Sequence, residues 1–290
     1  MKIGFAGMGV MGGPMARHLV EGGHDVAGFN RSPDKAQAWA EATGGRFAAT
    51  VGDAAVGAEV FILCVGKDDD VREVVTAALP SLAADAVIVD HTTTSARVAR
   101  EMFELAAGQG LCFIDAPVSG GQAGAENGQL SVMAGGDASA LARVEPVLMC
   151  YAKAVKFMGP SGAGQLTKMV NQIAIAGVVQ GLAEAVHFAS IAGLEPDAVY
   201  DAISKGAAQS WQMDNRWRTA AAGQFDFGFA VDWMRKDLGL VLDEARTNGA
   251  HLAMTALVDQ FYSEVQAMGG SRWDTSSLAA RLQRRPVGAR

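Results

Sequence analysis

The sequence predicts an α/β fold: an N-terminal domain built on a doubly wound parallel sheet, then an all-helical C-terminal domain joined to it by a long interdomain helix. Three observations predict it. Short apolar runs alternate with helical segments through residues 2–157, the pattern of strand–helix–strand units with right-handed crossovers. A G-x-G-x-x-G stretch follows the first run. Beyond Gly159-Pro160 strand patterns stop and helical periodicity takes over. The expected domains are therefore residues 1–161 and 162–290.

The first strand, residues 2–6, leads into Gly7-Met8-Gly9-Val10-Met11-Gly12 and a helix over 14–21. Gly7 permits a tight turn, Gly9 lets a pyrophosphate approach the backbone, and Gly12 allows helix and strand to pack closely. The helix N-terminus adds unsatisfied N–H groups and partial positive charge. This is the arrangement of a Rossmann dinucleotide site; the alternative is a glycine-rich turn that holds no ligand. The second strand, 25–29, ends in Asn30-Arg31-Ser32, where an NAD site carries an acidic residue for the ribose hydroxyls. Asn30 suits a ribose oxygen, while Arg31 and Ser32 suit a 2′-phosphate. The expected cofactor is NADP, with NAD possible; otherwise Arg31 is a solvated surface cation.

A helix over 33–42 precedes the strand at 60–65, whose end supplies Val65 and Gly66. The acidic run Asp68-Asp69-Asp70 opens a helix over 69–78, where carboxylates suit the N-terminus, and Asp70 joins the cofactor-side candidates. The strand at 86–90 ends in His91-Thr92-Thr93, and ligands of doubly wound folds bind at such carboxyl ends. Thr93 is either a hydroxyl contact to the nicotinamide half or the N-cap of the helix over 95–107, a role open to Thr94 and Ser95 as well. Strands at 111–115, 130–134 and 154–157 complete the sheet. Helices are expected over 163–192, 196–204, 211–222, 232–247, 254–268 and 275–284, with residues 284–290 as a disordered tail. The first of these helices, about 30 residues, spans roughly 45 Å.

Composition narrows the function. A net charge of −7 with no long basic run disfavours nucleic acid. Cys64, Cys112 and Cys150 form no C-x-x-C pair and are expected as buried, reduced thiols. The five histidines show no metal-ligand spacing, so no metal is expected. The longest apolar stretch, 169–191, contains Asn171, Gln172, Gln180, Glu184 and His187 and is expected as a buried helix, not a membrane span. With no signal-peptide pattern at the N-terminus, the expected location is cytoplasmic.

Two segments carry the chemistry. In Asp115-Ala116-Pro117-Val118-Ser119-Gly120-Gly121-Gln122, one hydroxyl and exposed backbone N–H groups suit a carboxylate; a flexible turn is the plainer explanation. In Gly162 to Gln172, Lys168 lies early in an otherwise apolar helix. Burial lowers a lysine pKa, which suits proton exchange with an alcohol or carbonyl oxygen. Asn171 and Gln172 follow at i+3 and i+4, placing an amide on the lysine face. On these grounds alone a snorkelling structural lysine explains the position as well as a catalytic one.

These segments, with Gly7 to Ala16, resemble the β-hydroxyacid dehydrogenase family, whose members include 3-hydroxyisobutyrate dehydrogenases and semialdehyde reductases. The resemblance covers nearly the whole chain. It rests on Asp115 to Gly121 with Gly128-Gln129-Leu130 and Gly135-Gly136, on Gly162-x-Gly164-x-x-x-Lys168-Met169-Val170-Asn171, and on Met234-Arg235-Lys236-Asp237-Leu238. It implies a soluble NAD(P)-dependent enzyme interconverting a small 3-hydroxy acid and its semialdehyde. Lys168 would be the general acid/base, Ser119 and Gly120 would hold the substrate, and Val65, Gly66 and Thr93 would touch the cofactor. Lys236, with Phe229 and Asp237 nearby, would close over the nicotinamide side. It also implies a homodimer or homotetramer formed through the helical half, where Trp211, Trp217, Trp233 and Trp273 are either contact residues or plain core. The chain departs from the family at Gln172, where the substrate-binding amide is usually an asparagine, and at His91. Imine reduction, for which relatives usually replace the lysine, and a non-catalytic nucleotide-sensing module are the alternatives.

Overall fold

The computed structural model describes residues 1–283; the expected tail and the last residue of the final helix lie outside the described residues. The chain forms two compact units, Met1–Lys168 and Met169–Arg290.

The first unit runs β1 (Lys2–Ala6), α1 (Gly12–Glu21), β2 (Asp25–Phe29), α2 (Pro33–Thr43), β3 (Arg46–Phe47), α3 (Val51–Ala55), β4 (Val60–Leu63), α4 (Asp68–Ala78), β5 (Val87–Asp90), α5 (Ala96–Ala107), β6 (Cys112–Asp115), β7 (Val118–Ser119), α6 (Gly121–Glu126), β8 (Leu130–Gly136), α7 (Ala138–Leu148) and β9 (Ala152–Gly159). The sheet order is β3-β2-β1-β4-β5-β6-β8-β7, with β9 also on β8. Strands β1 to β6 pair in parallel, while β8 runs antiparallel to β6 and β7. The strands read as continuous apolar runs because both faces are covered. Ile3, Phe5, Val60, Ile62, Val87 and Val89 pack on one side with Met15 and Leu19 of α1. Phe61, Leu63, Ile88 and Phe113 pack on the other with Val75 of α4 and Val98 and Met102 of α5. Each such burial stabilises by roughly 1.5–3 kcal/mol.

The periodicity passes over β3, α3, β7, α6 and α7. Most are too short to show a period. Helix α7 carries an interior Pro146 that disguises it, and Asp137 caps it by accepting from the N–H groups of Ser139 and Ala140. The cysteines are half-buried rather than buried, because Cys64 and Cys112 lie at strand ends and Cys150 in a turn.

Helix α8 (Ala163–Ile191) leaves the first unit after Lys168 and continues into the second, followed by α9 (Pro196–Ile203), α10 (Trp211–Ala221), α11 (Val231–Asn248), α12 (Ala253–Ala267) and α13 (Leu278–Gln283). Trp217, 1% exposed, anchors this helical core and donates its indole N–H to the Pro196 carbonyl at 2.8 Å. Trp211 and Trp233 are exposed. By length and composition α8 is apolar enough to cross a membrane. Its Ala176, Val179, Ala183 and Val186 pack into the helical core, but Phe188 and Ile191 are more than 70% exposed. The expectation of a buried helix therefore holds for one face only, since its neighbours in this chain cover one side of an all-round apolar cylinder.

At the end of β5, His91 is buried between two partners. Its Nδ1 lies 2.6 Å from the Ala116 carbonyl oxygen and its Nε2 2.8 Å from the Tyr151 hydroxyl. A carbonyl only accepts, so Nδ1 carries the proton and Nε2 accepts from Tyr151. Burial pushes the imidazole pKa down to about 4, against a smaller opposing effect of the Ala116 carbonyl. A depressed histidine contributes stability that is present above about pH 6.5 and lost as pH falls through about 4, a span worth about 3 kcal/mol. Urea unfolding of parent and H91Q at pH 7 and pH 4 is expected to show an acid loss about 3 kcal/mol smaller in the variant; equal acid losses would exclude this role.

Candidate active site

The glycine loop between β1 and α1 has the geometry a dinucleotide needs. Gly7 holds φ +108°, and a Cβ there would lie 2.2 Å from the Cys64 carbonyl oxygen. At Gly12 a Cβ would meet the Gly7 carbonyl oxygen at 1.9 Å, so only glycine lets α1 sit this close to the strand end. At Gly9, by contrast, a Cβ meets nothing within 4 Å, and Gly9 and Val10 are exposed. The loop is closed where it packs and open where a pyrophosphate would lie, next to the N-terminus of α1. The residues present fit the group.

Asn30 spends its side chain on this loop: Oδ1 accepts from the Met8 N–H at 2.9 Å, and Nδ2 donates to the Ser32 carbonyl at 3.1 Å. It braces the glycine turn. The Arg31 side chain is 90% exposed and approaches Asp70 Oδ1 at 3.4 Å. The sequence places no carboxylate beside Arg31, yet folding brings one from the start of α4, where Asp70 also accepts from the Lys67 N–H. Thr93 is half-buried, and the N-cap of α5 is Ser95, whose hydroxyl accepts from the Val98 N–H. The Val65 N–H donates to Thr92 Oγ1 at 3.0 Å, joining the β4 and β5 ends.

The other half of the first unit's site forms where α8 meets the end of β6. Asp115 is fully buried; Oδ1 accepts from the Gly162 N–H at 2.8 Å and Oδ2 from the Gln165 N–H at 3.0 Å. The first N–H groups of a helix lack intrahelical partners, and a carboxylate there satisfies them and complements the dipole. Burial pushes the Asp115 pKa up to about 6, while these backbone N–H groups pull it down. Thus anchored, α8 carries Lys168, 8% exposed, so that its Nζ donates to the Val118 carbonyl at 2.9 Å. That carbonyl directly precedes Ser119, Gly120 and Gly121, whose chain turns through φ values of +134° and +60° at the two glycines. Folding thus brings the amine to the loop that offers a hydroxyl and backbone N–H groups.

Within the second unit Asn171, Gln172, Lys236 and Asp237 gather. The Asn171 amide donates to Gln172 Oε1 at 2.8 Å, Gln172 donates to Asp237 Oδ2 at 2.7 Å, and Lys236 Nζ lies 3.3 Å from Asp237 Oδ1. Gln172 is 2% exposed. Phe229 is 39% exposed, its N–H donating to Asp274.

Sequence reasoning singled out neither Asp115 as an anchor, Gln165, nor the His91–Tyr151 pair. The available signal was a polar residue ending an apolar run, or opening an apolar helix, where burial demands a partner.

Two family models match successive parts of the chain. Residues 2–159 match the family model described as the NAD binding domain of 6-phosphogluconate dehydrogenase. Residues 162–282 match that described as NAD-binding of NADP-dependent 3-hydroxyisobutyrate dehydrogenase. An uncharacterized oxidoreductase of Shewanella frigidimarina is 60% identical over 98% of each chain. A probable 3-hydroxyisobutyrate dehydrogenase-like 1, mitochondrial, of Arabidopsis thaliana is 39% identical over 98% of this chain and 85% of its own. The structure of Mycobacterium tuberculosis 3-hydroxyisobutyrate dehydrogenase with L-serine aligns with TM-score 0.89 at 33% identity, covering 97% of this chain and 99% of that one.

Proposed function

The chain belongs to the β-hydroxyacid dehydrogenase family, and from that premise we propose that it interconverts a small 3-hydroxy acid and its semialdehyde, with NADP favoured over NAD. The observation that carries this reading is the buried Lys168 amine, 2.9 Å from the Val118 carbonyl and directed at the Ser119–Gly120 loop. The bound nicotinamide supplies the hydride acceptor or donor. Lys168 takes the hydroxyl proton as the alcohol carbon is oxidised and returns a proton to the carbonyl oxygen in reduction. The Val118 carbonyl accepts a hydrogen bond from the Lys168 amine and so fixes its direction. The Ser119 hydroxyl and the N–H groups of Gly120 and Gly121 donate to the substrate carboxylate. The L-serine named with the Mycobacterium tuberculosis structure is itself a 3-hydroxy carboxylic acid, which supports a substrate of that size.

Arg31 and Ser32 would hold the 2′-phosphate. An exposed guanidinium–carboxylate pair contributes little, so Arg31 would exchange Asp70 for the more highly charged phosphate at small cost.

With a panel of small semialdehydes and hydroxy acids, K168A is expected to lower kcat by about 100-fold or more while NADPH binding, followed by fluorescence, changes by less than about threefold. Near-parental turnover would remove Lys168 from proton transfer. R31A is expected to raise the KM for NADPH by about 10-fold or more and to leave NADH almost unaffected; equal changes for the two cofactors would reject the 2′-phosphate contact.

A further inference from the structure

We propose that Gln165 is a positioning residue that sets Lys168 in register with the cofactor-side loop carrying Thr93; the inference rests on the reading of Lys168 as the proton-transfer group. Gln165 is 0% exposed and precedes Lys168 by three residues, just under one turn of α8. Its side chain reaches a single loop with both ends. Nε2 donates to the Thr92 carbonyl oxygen at 2.8 Å, and Oε1 accepts from the Thr94 N–H at 3.0 Å. These two bonds bracket Thr93. The Gln165 backbone N–H donates to Asp115, and Thr92 Oγ1 accepts from Val65. One residue therefore ties the helix bearing the amine to the ends of β5 and β6, and Thr92 extends the tie to the end of β4.

The arrangement goes beyond what packing requires. A buried amide is tolerated only when its polar atoms are paired, and an apolar side chain of similar volume would fill the space without ordering the loop. The primary amide is suited to the task because it presents a donor and an acceptor about 2.2 Å apart on one rigid plane. It thereby reads the Thr92 carbonyl and the Thr94 N–H together and fixes the loop's rotation as well as its distance. Proton and hydride transfer act on adjacent atoms of one substrate, and a displacement of about 1 Å between the groups serving them costs about 100-fold in rate.

The test compares parent, Q165M and Q165E by steady-state kinetics and by amide hydrogen exchange. Q165M is expected to lower kcat by about 10- to 100-fold, to leave the KM for NADPH within about threefold, and to speed exchange at the Thr94 amide. Q165E, whose buried carboxyl group is held protonated by desolvation and so presents the same acceptor and donor, is expected to recover most of kcat and of the protection. Unchanged kcat in Q165M, a rise in the NADPH KM that matches the fall in kcat, or no recovery in Q165E overturns the proposal. If Q165M does not fold, Q165N, too short to reach both partners, is held to the same expectations. Failure of the parent on every hydroxy acid and semialdehyde would instead sink the reading of Lys168. Hydrogen exchange then decides for Gln165 separately, and unchanged Thr94 protection in Q165M refutes the tie.

Discussion

The buried carboxylate of Asp115 against the first turn of α8 is the contact on which the placement of Lys168 in the first unit depends. It is made at the last residue of a central strand, where the backbone is held by ladder bonds on both sides, so the anchor is rigid. Two N–H groups that no helix can satisfy from within are paired there. The position of Lys168 follows, since an α-helix fixed at its first turn places the next turn to within the stiffness of its own hydrogen bonds. Gly164 permits the close approach: a Cβ there would lie 2.4 Å from the carbonyl oxygens of Asp115 and Met133.

The cofactor side is built on the same logic of strand ends. The β1, β4 and β5 termini deliver the glycine loop, Val65 and Thr93 to one edge of the sheet, and buried side chains rather than ladder bonds link the loops beyond it. Asn30 braces the glycine turn, and His91, through Ala116 and Tyr151, braces the segment that leads to the Ser119–Gly120 loop. The groups that would touch a dinucleotide are thus mostly backbone or short side chains, and the side chains around them serve to hold that backbone still. Such a site costs little reorganisation when the ligand arrives.

The second unit contributes a tightly linked polar cluster on α8 and α11. The Gln172 departure acquires a physical meaning here. The extra methylene carries its amide to Asp237, while Asn171 donates to its carbonyl oxygen. A residue that differs from the family's usual asparagine is therefore built into a hydrogen-bond chain that also includes Lys236, through Asp237.

Local sequence determined the alternating strands and helices, the glycine turn and the change to an all-helical half, because these depend on periodicity, on backbone permissiveness and on termini a few residues apart. It also marked Lys168 and the Ser119–Gly120 loop, since a charged residue in an apolar helix and a glycine pair after a strand stand out in any window. Only the tertiary structure decided what surrounds them. Asp70 beside Arg31, Asp115 beneath α8 and Gln165 across the Thr92–Thr94 loop are partners separated by 39 or more residues. A buried polar side chain announces in sequence that it needs a partner, but the identity of that partner is a property of the sheet order, which no local pattern contains.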